Sequence, residues 1–88
     1  MATIRLSSQA KKAFEKLARS DRRLFERVDE ALSHIQEEPS AGKPLQGPLA
    51  GQRSVRVGDI RIIYRFEAGQ LLVFVLDIAR RDKVYRDP

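Results

Sequence analysis

Thr3-Ile4-Arg5-Leu6 alternates polar and apolar positions, the pattern of a short half-buried strand. The period then changes. Ala10, Ala13, Phe14, Leu17 and Ala18 fall at i, i+3, i+4, i+7 and i+8, which predicts an amphipathic helix, with Ser7 or Ser8 as its N-cap. Residues 19–21 interrupt that pattern, and Ser20 or Asp21 can cap a second helix. Leu24, Val28, Ala31, Leu32 and Ile35 carry it to about Glu37, where Pro39 disfavours further helix. So short a break predicts an antiparallel helical hairpin. Residues 39–52 hold Pro39, Pro44 and Pro48 with Gly42, Gly47 and Gly51, and read as a loop with Leu45 and Leu49 packed beneath it. Beyond it the period is two. Strands are predicted over residues 53–57, 60–67 and 71–79, joined by turns at Gly58-Asp59 and at residues 68–70. The last strand is apolar on both faces, so it belongs inside the sheet. The expected fold is α+β, in the order β-α-α-β-β-β. A small antiparallel meander and an N-terminal strand carry a two-helix hairpin on one face. No repeat, low-complexity tract or linker divides residues 1–88, and a single domain is expected.

Alternation also assigns faces. Ile60, Ile62, Tyr64 and Phe66 share one side of their strand, and Arg61, Ile63, Arg65 and Glu67 the other. Val55 and Val57 oppose Ser54 and Arg56. The apolar faces must meet the helices, so Arg56 and Arg61 are expected to point from the helix-free face. The last strand runs on into Arg80, Arg81, Lys83, Tyr85 and Arg86, bringing cations and a phenol to one end of the sheet.

Charge sharpens this picture. The 88 residues have a net charge of +5. Residues 1–40 hold eight Lys and Arg against seven Asp and Glu, whereas residues 41–88 hold nine against five. Past Pro44 every cation except Lys83 is an arginine, the residue suited to bidentate phosphate or carboxylate contacts. One surface arginine is explained by solvation alone. A face of like charges with a stackable aromatic points instead to an anionic visitor, RNA or single-stranded nucleic acid.

Other chemistries find little support. There is no cysteine, hence no disulfide or thiolate metal site, and a cytoplasmic location is expected. His34, the one histidine, lies on a helix with no second histidine for acid–base or metal pairing, and Glu37-Glu38 sits at a helix end. The glycines fit neither a P-loop nor a dinucleotide fingerprint. No apolar run reaches membrane-spanning length, and no leader-type segment opens the chain. No metal, cofactor or membrane is expected.

The stretch GKPLQGPLAGQRSVRVGDIRIIYRF followed by IARRDKVYR resembles the RelE/ParE toxin superfamily, and within it the RelE branch. Its distinguishing pieces are K-P-L…G, R-V-G-D-I-R-I-I-Y and A-R-R-x-x-x-Y. Each is weak alone; their order and spacing are specific, and the resemblance covers nearly the whole chain. It implies a toxin of a type II toxin–antitoxin system that enters the ribosomal A site and cuts mRNA. The ribose 2′-OH is the nucleophile, no metal is needed, and a cognate antitoxin silences the toxin in a hetero-oligomeric complex. By the same resemblance Arg61, Arg81 and Tyr85 are the catalytic candidates, and Arg53, Arg56, Arg80 and Lys83 the RNA-binding ones. Two positions depart from the family pattern. Relatives often carry a cation where this chain has Ser54, and some have histidine or lysine where it has Arg80. Arginine, with a pKa of about 12 or more, is a poor acid–base group near neutral pH. Two alternatives stay open at this point: a ParE-like toxin that inhibits DNA gyrase by protein contacts, and a non-catalytic RNA-binding or regulatory module.

Overall fold

The structure, a computed structural model, describes residues 2–80. Strand β1 (Thr3–Leu6) leads into helices α1 (Ser8–Ser20) and α2 (Arg22–Glu37). The strands β2 (Lys43–Pro44), β3 (Arg53–Val57), β4 (Ile60–Glu67) and β5 (Leu72–Arg80) follow. They form one five-stranded sheet in the order β1-β5-β4-β3-β2. The expected α+β architecture is observed, with β3, β4 and β5 as the antiparallel meander and β1 beside β5 in parallel.

Helix capping follows the sequence closely. Ser7 caps α1, its Oγ accepting from the Ala10 N–H at 3.0 Å. Asp21 alone separates the helices. Its side chain accepts from the Leu24 N–H at 3.1 Å to start α2, and its own N–H closes α1 on the Leu17 carbonyl. Leu17, Leu24, Val28, Leu32 and Ile35 bury against Val57, Ile60, Ile62, Tyr64, Val73, Val75 and Ile78, so one sheet face is core. At the β3–β4 turn Gly58 has φ 61°, the positive value that a type II′ hairpin needs at its first central residue. No described helix is long and apolar enough to cross a membrane.

Three features differ from expectation. The loop after α2 contains the two-residue edge strand β2, which the periodicity did not reveal. Leu49 is 37% exposed and does not pack under the loop. The third is a bulge in β5. Ile63 pairs with Asp77 but Tyr64 pairs with Val75, so Leu76 is an extra residue. The extra residue inverts the strand's parity: Val73 and Val75 face the core before it, and Ile78 after it. Ser7 accommodates the irregularity, since its Oγ donates to the Leu76 carbonyl at 2.8 Å while capping α1. One hydroxyl thus serves a helix start and a bulge. Ser7→Ala is expected to cost about 1–2 kcal/mol. Urea unfolding should show this as a lower midpoint at an unchanged slope.

Candidate functional site

The face of the sheet opposite the helices carries the charge. Register places Arg56 directly across from Arg61, and Ser54 across from Ile63 on one side and Lys43 on the other. Cross-strand partners project from the same face. Lys43, Ser54, Arg56 and Arg61 therefore come together, and with Ala41 and Val55 they line one surface depression. Arg56 is exposed and Arg61 half-buried. The Arg61 guanidinium donates to Ser54 Oγ at 3.3 Å. Ser54 itself is buried, so at this position a hydroxyl supports the arginine from beneath.

Like charges placed opposite one another on a sheet cost stability, about 0.2–1 kcal/mol for a pair. The facing of Arg56 and Arg61 is thus a cost to the fold, set against contacts such as that of Arg61 with Ser54. Further along the same face Arg65 is already engaged. It bonds Glu67 at 2.8 Å and lies 5.0 Å from the centroid of the Phe74 ring.

Two expected members lie elsewhere. Arg53 pairs in register with Tyr64, on the helix-side face, and clamps the loop before β2 through the carbonyls of Gly42 (2.8 Å) and Ser40 (3.3 Å). Arg80 pairs with Ile60, also on the helix side, and is bound to Asp59. The bulge at Leu76 explains this: without it, the alternation that buries Val73 and Val75 would send Arg80 to the helix-free face. Arg80 instead borders a groove with Lys16, Leu17 and Ser20 of α1. Arg81, Lys83 and Tyr85 lie outside the described residues.

Lys43 is the residue that the sequence reading did not assign. It stands in a Pro/Gly-rich stretch, and two residues are too few to show a strand period. The signal available was Pro44, which within a sheet is tolerated at an edge strand. The turn carrying Lys43 is tied down from the core side. Tyr64, fully buried, donates its hydroxyl to the Pro39 carbonyl at 2.6 Å and accepts from the Gly42 N–H at 2.9 Å. Burial raises the Tyr64 pKa above its ordinary value, against smaller lowering effects of the Gly42 N–H and the Arg53 charge.

Residues 4–85 match the family model described as the ParE toxin of the type II toxin–antitoxin system parDE. Toxin RelG of Mycobacterium tuberculosis is 34% identical over 85 residues, spanning 96% of this chain and 95% of the relative. The toxin–antitoxin complex RelBE2 of the same organism contains a chain with 33% identity and a TM-score of 0.77, covering 91% of this chain and 98% of that one. The YoeB/ParE toxin from Agrobacterium tumefaciens superposes with a TM-score of 0.80 at 25% identity, covering 89% and 96%. Similarity of sequence and of fold, each running over nearly the full length, leads to one conclusion: the chain belongs to the RelE/ParE superfamily of type II toxin–antitoxin toxins, on its RelE-like side.

Proposed function

We propose that this toxin is a ribosome-dependent endoribonuclease that cuts mRNA in the A site. The observation that carries the reading is the Arg56–Arg61 pair, with Ser54 between Lys43 and Arg61, on the sheet face opposite the described helices. In the proposed reaction the ribose 2′-oxygen attacks the adjacent phosphorus and loses its proton. The P–O5′ bond then breaks, leaving a 2′,3′-cyclic phosphate, and the departing 5′-oxygen takes up a proton. Negative charge builds on the pentavalent phosphate, where preorganised cations are most effective. Arg61 takes that role, held by Ser54. Arg56, exposed beside it, holds the RNA backbone. From the resemblance, Arg81 shares the phosphate charge and assists the leaving oxygen, while the Tyr85 hydroxyl orients or deprotonates the 2′-OH and its ring stacks on a base.

A cognate antitoxin belongs to this reading. The related RelBE2 structure is a toxin–antitoxin complex. An acidic or amphipathic segment would complement the charged face and the sheet edge here. Inducing the toxin in cells and mapping mRNA 5′ ends tests the activity. Cuts within translated frames are expected. Intact mRNA with arrested replication would assign the toxin to gyrase instead.

A further inference from the structure

We infer that Lys43 contacts an RNA phosphate, supplying from the neighbouring strand the cation that Ser54 does not. The inference rests on the ribonuclease reading and extends it to a residue to which that reading gives no role. Lys43 is the register partner of Ser54, and residues directly opposite in an antiparallel pair have Cβ atoms about 4.5–5.5 Å apart. Its side chain is exposed on the face shared by Arg56 and Arg61, and borders the same depression. Among the described residues it forms no ion pair, whereas Arg65 and Arg80 each have a carboxylate partner.

The placement is built and not incidental. The residues around Lys43 are held from the opposite face, at Pro39 and Gly42 by Tyr64 and at Ser40 and Gly42 by Arg53. With Gly42 fixed on the core side, strand alternation directs Lys43 outward. No side chain larger than hydrogen fits at position 42, since a Cβ there would lie 2.6 Å from the Tyr64 hydroxyl. A lysine on an edge strand also serves to discourage edge-to-edge aggregation. That role needs no neighbours of like charge. Here Lys43, Arg56 and Arg61 border one depression around a buried serine, and cations gathered in a concave surface favour an anionic ligand there.

The test uses ribosomes programmed with an mRNA whose A-site 2′-hydroxyls are methylated, so that it binds without being cut. Affinity is measured across a salt series for the wild type, Lys43→Ala, Lys43→Arg and Arg56→Ala, beside melting curves. Lys43→Ala is expected to weaken binding about ten-fold, as for one charged contact. It should also flatten the salt slope by about 0.7, the value for one phosphate on a single strand. Lys43→Arg should keep both near wild type. Unchanged affinity and slope in Lys43→Ala, with Arg56→Ala weakened, would overturn the role of Lys43 and leave the ribonuclease reading standing. Aggregation of Lys43→Ala at an unchanged slope would assign the lysine to edge protection. A wild type that neither binds these ribosomes nor cuts unmethylated mRNA on them would remove both readings.

Discussion

Arg61→Ala should slow mRNA cutting by about 10²–10³ while leaving the fold intact, by analogy with other preorganised charge stabilisers. Arg61 is half-buried, rests on Ser54 Oγ at 3.3 Å and faces Arg56 across the strand pair. Its guanidinium is therefore oriented before substrate arrives, and little reorganisation accompanies the reaction. Losing it removes stabilisation that grows as charge develops on the phosphate, so the turnover rate should fall more than ribosome affinity. Arg61→Lys keeps the charge without the planar fork and should recover only part of the rate. Removing one of two facing arginines relieves their repulsion but also takes away the partner of Ser54 Oγ, so the melting temperature should change little. Tyr85→Phe belongs to the same experiment: a stacking ring without its hydroxyl should still bind but cut poorly. Single-turnover cutting in a purified translation system separates these effects. Wild-type rates in both Arg61→Ala and Tyr85→Phe, with unchanged melting, would leave the proposed site without its chemistry.

The faces of the sheet were legible because β3 and β4 each have one apolar side. Val57, Ile60, Ile62 and Tyr64 enter the core as alternation predicts, and Arg56 and Arg61 emerge together on the other side. The helices were legible for a similar reason, through the spacing of Leu24, Val28, Leu32 and Ile35. β5 concealed its irregularity. A strand apolar on both faces has no visible period, so nothing in the sequence marked Leu76 as the extra residue. That single insertion decides which face Arg80 takes, and Arg80 bonds Asp59 on the helix side. Strand alternation sets Arg53 on the face opposite Arg56. Its use as a clamp on the Gly42 carbonyl required the path of the preceding loop, which local pattern does not encode. Lys43 was hidden by the same loop. Its place beside Ser54 is a long-range register, fixed by contacts made from β3 and β4.

Those contacts converge on Tyr64, and Tyr64→Ala should be among the most damaging changes to stability, at about 3–5 kcal/mol for truncating a fully buried aromatic side chain. Tyr64→Phe isolates the hydroxyl. It retains the ring but leaves the Gly42 N–H and the Pro39 carbonyl without their partner, at an expected cost of about 1–3 kcal/mol. The hydroxyl also leaves a signature in pH. Burial raises its pKa above the ordinary value of 10.0. Below pH 10 the phenol is neutral in both states and its contribution is complete. As pH rises above 10 the unfolded chain releases the proton while the folded chain retains it, so stability falls until the folded group ionises in turn. The difference in unfolding free energy between wild type and Tyr64→Phe should therefore be constant near neutrality and shrink in alkali, other groups cancelling in the comparison. Urea unfolding of both proteins at neutral pH and above pH 10 measures it. A gap that persists unchanged in alkali would mean that the Tyr64 phenol titrates alike in the folded and unfolded chains.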